Sequence, residues 1–123
     1  MPTQDQMKQA LQAYIDGFAA GDAAAVAALF ADDAVVEDPV GNPPISGRAA
    51  IEEFYTNAVG AGSKLVLEAP IRGSHGNAAA MAFTVEVPEM GLRIRVIDVM
   101  TFNEDGKIVA MRAHWGPDDV EQS

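Results

Sequence analysis

The spacing of apolar residues changes near the middle of the chain, and that change restricts the fold more than any other feature of the sequence. Up to about residue 62 the apolar positions recur at helical spacing, and beyond it they alternate. Met7, Ala10, Leu11, Tyr14, Ile15 and Phe18 share one helical face, with Thr3 and Gln6 at capping-box spacing before it and Gly21 suited to its end. Asp22 is placed to cap a second short helix that buries Val26, Leu29 and Phe30. Ala34 to Asp38 reads as a short strand stopped by Pro39, and residues 38–47 read as a loop. Ile51, Phe54, Tyr55 and Ala58 mark a third helix, ended by Gly60 and Gly62. Strands are predicted over about 64–74, 77–88, 92–103 and 107–115, with turns at Gly76-Asn77, Glu89 to Gly91 and Asn103 to Gly106. Helices first and strands after them imply the α+β class. A curved antiparallel or mixed sheet would wrap around the three helices, leaving an apolar cone where a ligand could lie.

A chain of 123 residues suits one domain, spanning 1–123, and 49% hydrophobic residues make it a folded one. The net charge of −10 disfavours nucleic acid, anionic membrane surfaces and polyanionic substrates, and leaves a neutral, apolar ligand as the better fit. No apolar run approaches the length of a bilayer span, and the polar start Met1-Pro2-Thr3-Gln4-Asp5 is unlike a signal peptide, so a cytoplasmic protein is expected. Without cysteine there can be no thiolate nucleophile, disulfide or cysteine metal site.

Against this background a few polar groups fall on apolar faces. In the strand 92–103, Leu92, Ile94, Val96, Asp98, Met100 and Phe102 share one side, so a carboxyl group sits among hydrocarbon. An ionised carboxylate there costs several kcal/mol, roughly, unless it is paired. Arg93 and Arg95 point to the opposite side of the same strand. Either Arg112 pairs with Asp98, or desolvation keeps Asp98 neutral and makes it a hydrogen-bond donor. Tyr14 lies mid-stripe on the first helix, and its buried hydroxyl needs a partner. Tyr55, on the inner stripe of the third helix, is one candidate, and a backbone carbonyl is another. Asp38 stands at a loop edge, where an aspartate before proline is also ordinary turn chemistry. Met81, Phe83, Met111 and Trp115 have inward parity and suit core or pocket wall equally. His75 and His114 do not form a metal pair, and the acidic cluster Asp32, Asp33, Glu37 and Asp38 lacks a calcium-loop pattern and reads as a solvated helix end. No metal or organic cofactor is expected.

The stretches Gln12-Ala13-Tyr14-Ile15, Leu29 to Gly41, Glu53-Phe54-Tyr55, Val96 to Phe102 and Met111 to Trp115 resemble the bacterial steroid Δ-isomerases, or ketosteroid isomerases. These belong to the wider nuclear-transport-factor-2-like and SnoaL-like superfamily of conical α+β domains. Phe30-Ala31-Asp32-Asp33-Ala34 is shared widely across that superfamily. Val36-Glu37-Asp38-Pro39-Val40-Gly41, with Tyr14 and Asp98 in register, is more specific. The resemblance implies conversion of 3-oxo-Δ5-steroids to 3-oxo-Δ4-steroids through a dienolate. It makes Asp38 the general base and Tyr14 with Asp98 the oxyanion hole. Tyr55 would support Tyr14, and Phe83, Met111 and Trp115 would form apolar walls. Phe30 departs from members that carry a further tyrosine there, which implies a shorter hydrogen-bond chain. The resemblance also implies a homodimer through the outer sheet face, which here includes Arg93, Arg95, Ile97 and Val99. The alternatives are a dehydratase or epoxide hydrolase of the same fold, for which His75 and Arg112 are weak raw material, and a non-catalytic small-molecule-binding domain.

Overall fold

The computed structural model describes residues 1–122. Three helices, α1 (Gln4–Ala19), α2 (Ala23–Ala27) and α3 (Arg48–Gly60), lie with seven strands: β1 (Phe30–Glu37), β2 (Ile45–Ser46), β3 (Lys64–Leu67), β4 (Ala78–Val87), β5 (Leu92–Phe102), β6 (Ile108–His114) and β7 (Val120–Gln122). The α+β class expected from the change of period is the observed one. The sheet order is β2-β1-β6-β5-β4-β3, with β7 continuing beside β5. All pairs are antiparallel except β1 with β6, so the sheet is mixed.

Local chemistry accounts for most boundaries. The Thr3 side chain accepts from the Gln6 N–H while the Gln6 side chain accepts from the Thr3 N–H, which closes the start of α1. Asp22 accepts from the Ala25 N–H at the start of α2. That helix stops earlier than the periodicity suggests, because Phe30 pairs with Ile108 and opens β1 instead. Tertiary pairing outweighs local spacing there, and the register shift between Phe30 and Val35 leaves Asp32 and Asp33 on an exposed strand segment. They are therefore not at a helix end as the sequence suggests. Strand β3 is also shorter than expected. Pro70 lacks the N–H that a ladder needs, and pairing resumes only as a bridge from Arg72 to Ala80. The short strands β2 and β7 carry too few residues to show a period, and neither is evident in the sequence.

The helices cover one face of the sheet. Met7, Leu11, Phe18, Val26, Ile51, Met81, Met100, Phe102, Ile108 and Met111 form a core between the two layers. β4 and β5 pair without interruption from Ala78–Thr101 to Val87–Leu92, which gives a continuous inner face on which Asp98 stands level with Met81.

The turn between α1 and α2 brings the helices together at Gly17. A Cβ added there would lie 2.6 Å from Val26 Cγ2. Gly17→Ala is expected to lower unfolding stability, because overpacking of ~1–3 kcal/mol exceeds the gain of about 1 kcal/mol in helix propensity. In a Val26→Ala background the same change should stabilise. Urea melts of the four proteins test both signs.

Candidate active site

A cavity of about 260 Å³ opens between α1, α3 and the inner sheet face. That is near the lower end for small-molecule sites, which run to roughly 300–1,000 Å³. Phe18, Phe54, Leu65, Val85, Ile94 and Val96 provide much of its apolar wall, together with Phe83 and Trp115. Its polar side chains are Tyr14, Asp38, Tyr55, Ser63 and Asp98, and no lysine, arginine or histidine lines it.

Asp98 is fixed by the β4–β5 ladder and is 1% exposed. Both of its carboxyl oxygens are buried with no hydrogen-bond partner among the described residues. Arg112, the one cation that could have reached it, points outward with a half-exposed side chain and pairs with Glu37 at 3.3 Å. Arg93 and Arg95 pair with Glu86 and Glu121 on the outer face. Of the two possibilities open for this carboxyl, the neutral form is the one the structure favours. Burial pushes it well above the ordinary carboxylate range, and the nearby Asp38 charge pushes it further.

Tyr14 comes from the buried stripe of α1 and Tyr55 from that of α3, and the Tyr14 hydroxyl donates to the Tyr55 oxygen at 3.0 Å. The two rings meet edge to face with centroids 5.5 Å apart. Phe18, Phe30 and Phe54 pack around Tyr55 as well, so its ring has little freedom. Phe30 offers no hydroxyl, and the chain of phenols ends at Tyr55. Burial is the main force holding both phenols well above their ordinary values, and so protonated.

Asp38 follows the last residue of β1, and its peptide bond to Pro39 is cis. The Val40 N–H donates to the Ala113 carbonyl at 2.9 Å, which ties the loop to β6 beside the cavity. The Trp115 Nε1–H donates to Asp38 Oδ1 at 2.8 Å. Burial raises Asp38 above its ordinary value, and the indole opposes that by favouring the carboxylate. The sequence offered Trp115 only as apolar wall. Its second role is invisible there, because the two residues are 77 positions apart.

Met111 does not line the cavity. It is fully buried and pairs in register with Met100, one inward row beyond the row of Met81, Asp98 and Ala113 that closes the cavity. Inward parity is correct for it, but its row is filled by core. His75 and His114 are exposed, and the described residues contain no group of three or more potential ligands that could hold a metal ion. No helix among them is long and apolar enough to cross a membrane.

Residues 11–111 match the SnoaL-like domain family, and the chain belongs to it. It is a homologue of steroid Δ-isomerase: it is 45% identical over 116 residues to the steroid Delta-isomerase of Nocardioides simplex, covering 94% of each chain. The epoxide hydrolase LasB of Streptomyces lasalocidi is more distant, 32% identical over 97% of this chain, which spans only 44% of that protein. A solved structure of the epoxide hydrolase/cyclase-like enzyme SalBIII, associated with pyran ring formation in the polyether salinomycin, superposes with a TM-score of 0.90 at 29% identity over all of both chains.

A buried acid with a raised pKa keeps its proton on folding while the unfolded chain loses it above pH ~4. The contribution of Asp98 to stability is therefore complete below pH ~4 and is lost as pH rises toward its folded value. Asp98→Asn removes this loss. Relative to wild type, its unfolding free energy should climb with pH above ~4, by at most about 1.4 kcal/mol per pH unit. Urea melts between pH 4 and 9 measure the difference. A flat or falling difference would show that Asp98 is ionised in the folded protein.

Proposed function

We propose that this protein is a steroid Δ5–Δ4 isomerase acting on 3-oxo-Δ5-steroids as a cytoplasmic single-domain enzyme. The observation that carries the reading is the pair of carboxyl groups in one apolar cavity, one at its edge held by an indole and one buried beside a phenol. The 45% identity to a steroid Delta-isomerase over nearly the whole chain supports it independently.

Asp38, as carboxylate, removes a proton from C4 and returns it at C6 of the same steroid. The C4–H electrons form a C3–C4 double bond as the carbonyl π pair moves to oxygen, giving a dienolate. Reprotonation at C6 leaves the C4–C5 double bond conjugated with the restored ketone. Tyr14 and neutral Asp98 donate hydrogen bonds to the oxygen where charge develops, and low polarity around them strengthens both. Both phenol hydroxyls rotate, so Tyr55 can donate to Tyr14 while Tyr14 donates to the ligand. Two aspartates with opposite charge states at one pH form a pattern for which steroid isomerases are themselves the standard example. The reaction needs no metal or organic cofactor.

Incubation with 5-androstene-3,17-dione should produce the absorbance of a conjugated enone, and its absence would overturn the assignment. Asp38→Asn keeps the shape but not the base, so turnover should fall by ~10²–10⁴ while binding of a planar phenolic steroid persists. A second reading, acid-assisted epoxide opening, draws on the likeness to LasB and SalBIII and on the same acid pair. Epoxide turnover without enone formation would select it.

The proposal includes a homodimer. Ile97, 51% exposed, and Val66 present apolar side chains on the outer sheet face beside charged pairs, a mixture that suits an interface with a second copy. Sedimentation equilibrium should give twice the monomer mass, and Ile97→Glu should shift it toward monomer. A wild-type monomer at micromolar concentration would remove this part.

A further inference from the structure

Of the cavity's five polar side chains, Tyr14, Asp38, Tyr55 and Asp98 have been given roles above, and Ser63 has not. Ser63 precedes β3 and shares the inward parity of Leu65 and Leu67. The register Lys64↔Glu86 extends to place Ser63 level with Val87, whereas Asp98 is level with Met81. Six residues along β4 separate those rows, or roughly 20 Å of strand before curvature and converging side chains shorten the span.

Burial falls off in the same direction along β5 and toward β3. Asp98, Val96, Phe83 and Tyr14 are buried, while Ile94, Val85, Leu65 and Ser63 are half-buried, with Val87 beside Ser63 the buried exception. Ser63 is therefore at the mouth, with an apolar corridor between it and the acid pair. Its hydroxyl makes no hydrogen bond to another described residue, although it faces the cavity. A fused four-ring skeleton is rigid. Once its enone oxygen is held by Tyr14 and Asp98, its opposite end is directed along the corridor toward Ser63.

We propose that Ser63 is a second polar subsite, which hydrogen-bonds an oxygen at the end of the steroid remote from the enone and makes the enzyme prefer steroids oxygenated there. This rests on the isomerase reading for the identity of the ligand. A ketone would accept from the serine hydroxyl, and an alcohol could either accept or donate. The subsite is open to water, so the discrimination is smaller than at a dry hydrogen-bonding pocket.

The test compares 5-androstene-3,17-dione with 5-androsten-3-one, which lacks the remote oxygen, on wild type, Ser63→Ala and Ser63→Thr. The preference in kcat/KM for the 17-oxo substrate should fall ~3–10-fold in Ser63→Ala, through KM, and survive in Ser63→Thr. An unchanged preference, or equal losses on both substrates, would overturn the subsite. Binding of the two Δ4 products, followed by the emission of Trp115, separates this inference from the reading beneath it. Should wild type isomerise neither substrate yet bind both products with the same Ser63-dependent preference, the isomerase reading fails and the subsite stands. Binding of neither product defeats both.

Discussion

Both oxygens of Asp98 lie among apolar side chains with no partner among the described residues and with no cation on the cavity wall, and the rest of the site is organised around that cost. A charged carboxylate in that position would need a counter-ion, and the nearby arginines are all occupied on the outer face of the sheet. Desolvation therefore selects the protonated acid. A neutral acid still loses hydrogen bonds to water when buried, and a ligand oxygen can restore one. On the proposed reaction, that unmet donor is what attracts a carbonyl or enolate oxygen.

The scaffold holds this arrangement through redundant packing. The uninterrupted β4–β5 register prevents Asp98 from turning to the outer face, since a slip of one residue would expose the whole inner row. Tyr14 depends on Tyr55 for its orientation, and Tyr55 depends on the rings of Phe18, Phe30 and Phe54. Asp38 is held differently, at a loop edge by one indole N–H and by the tie from Val40 to β6. The proposed donors are thus set in helices and a long strand, and the proposed base stands just past the end of a strand.

Periodicity made the three helices and the long strands legible because each buries one face, and a buried face leaves a regular trace. It also places Asp98, Tyr14 and Tyr55 on inner faces. Parity gives direction but not depth along the strand, so it leaves Met111 open between core and pocket wall; the resemblance implies wall, whereas its row is filled by core. The end of α2 and the start of β1 differ from what periodicity suggests because pairing of Phe30 with Ile108 is a long-range choice. The Trp115–Asp38 hydrogen bond and the place of Ser63 at the mouth likewise depend on how distant segments meet. The role of Asp38 itself was ambiguous in the residues alone, and only resemblance singled it out from an ordinary turn.

On the proposed reaction, the cavity holds one negative charge at every stage. Before proton transfer the charge is on Asp38 and the ligand is neutral; afterwards Asp38 is neutral and the charge is on the dienolate oxygen. The task of the site is to make this displacement nearly level in energy, not to accommodate an added charge. A cation beside Asp38 would stabilise the starting carboxylate and raise the barrier. The Trp115 N–H is a weaker, neutral restraint that keeps Asp38 in place while burial still raises its proton affinity. At the other end, Asp98 must be neutral both before and after transfer, and the Asp38 charge helps to keep it so while the ligand is uncharged. When that charge moves onto the ligand oxygen, it arrives beside an acid proton and a phenol proton already fixed in place. No solvent has to reorganise. An apolar cavity with two acids and no base other than a carboxylate is thus suited to moving a single charge between fixed points, which explains why so acidic a chain can stabilise an anion without a cation in its pocket.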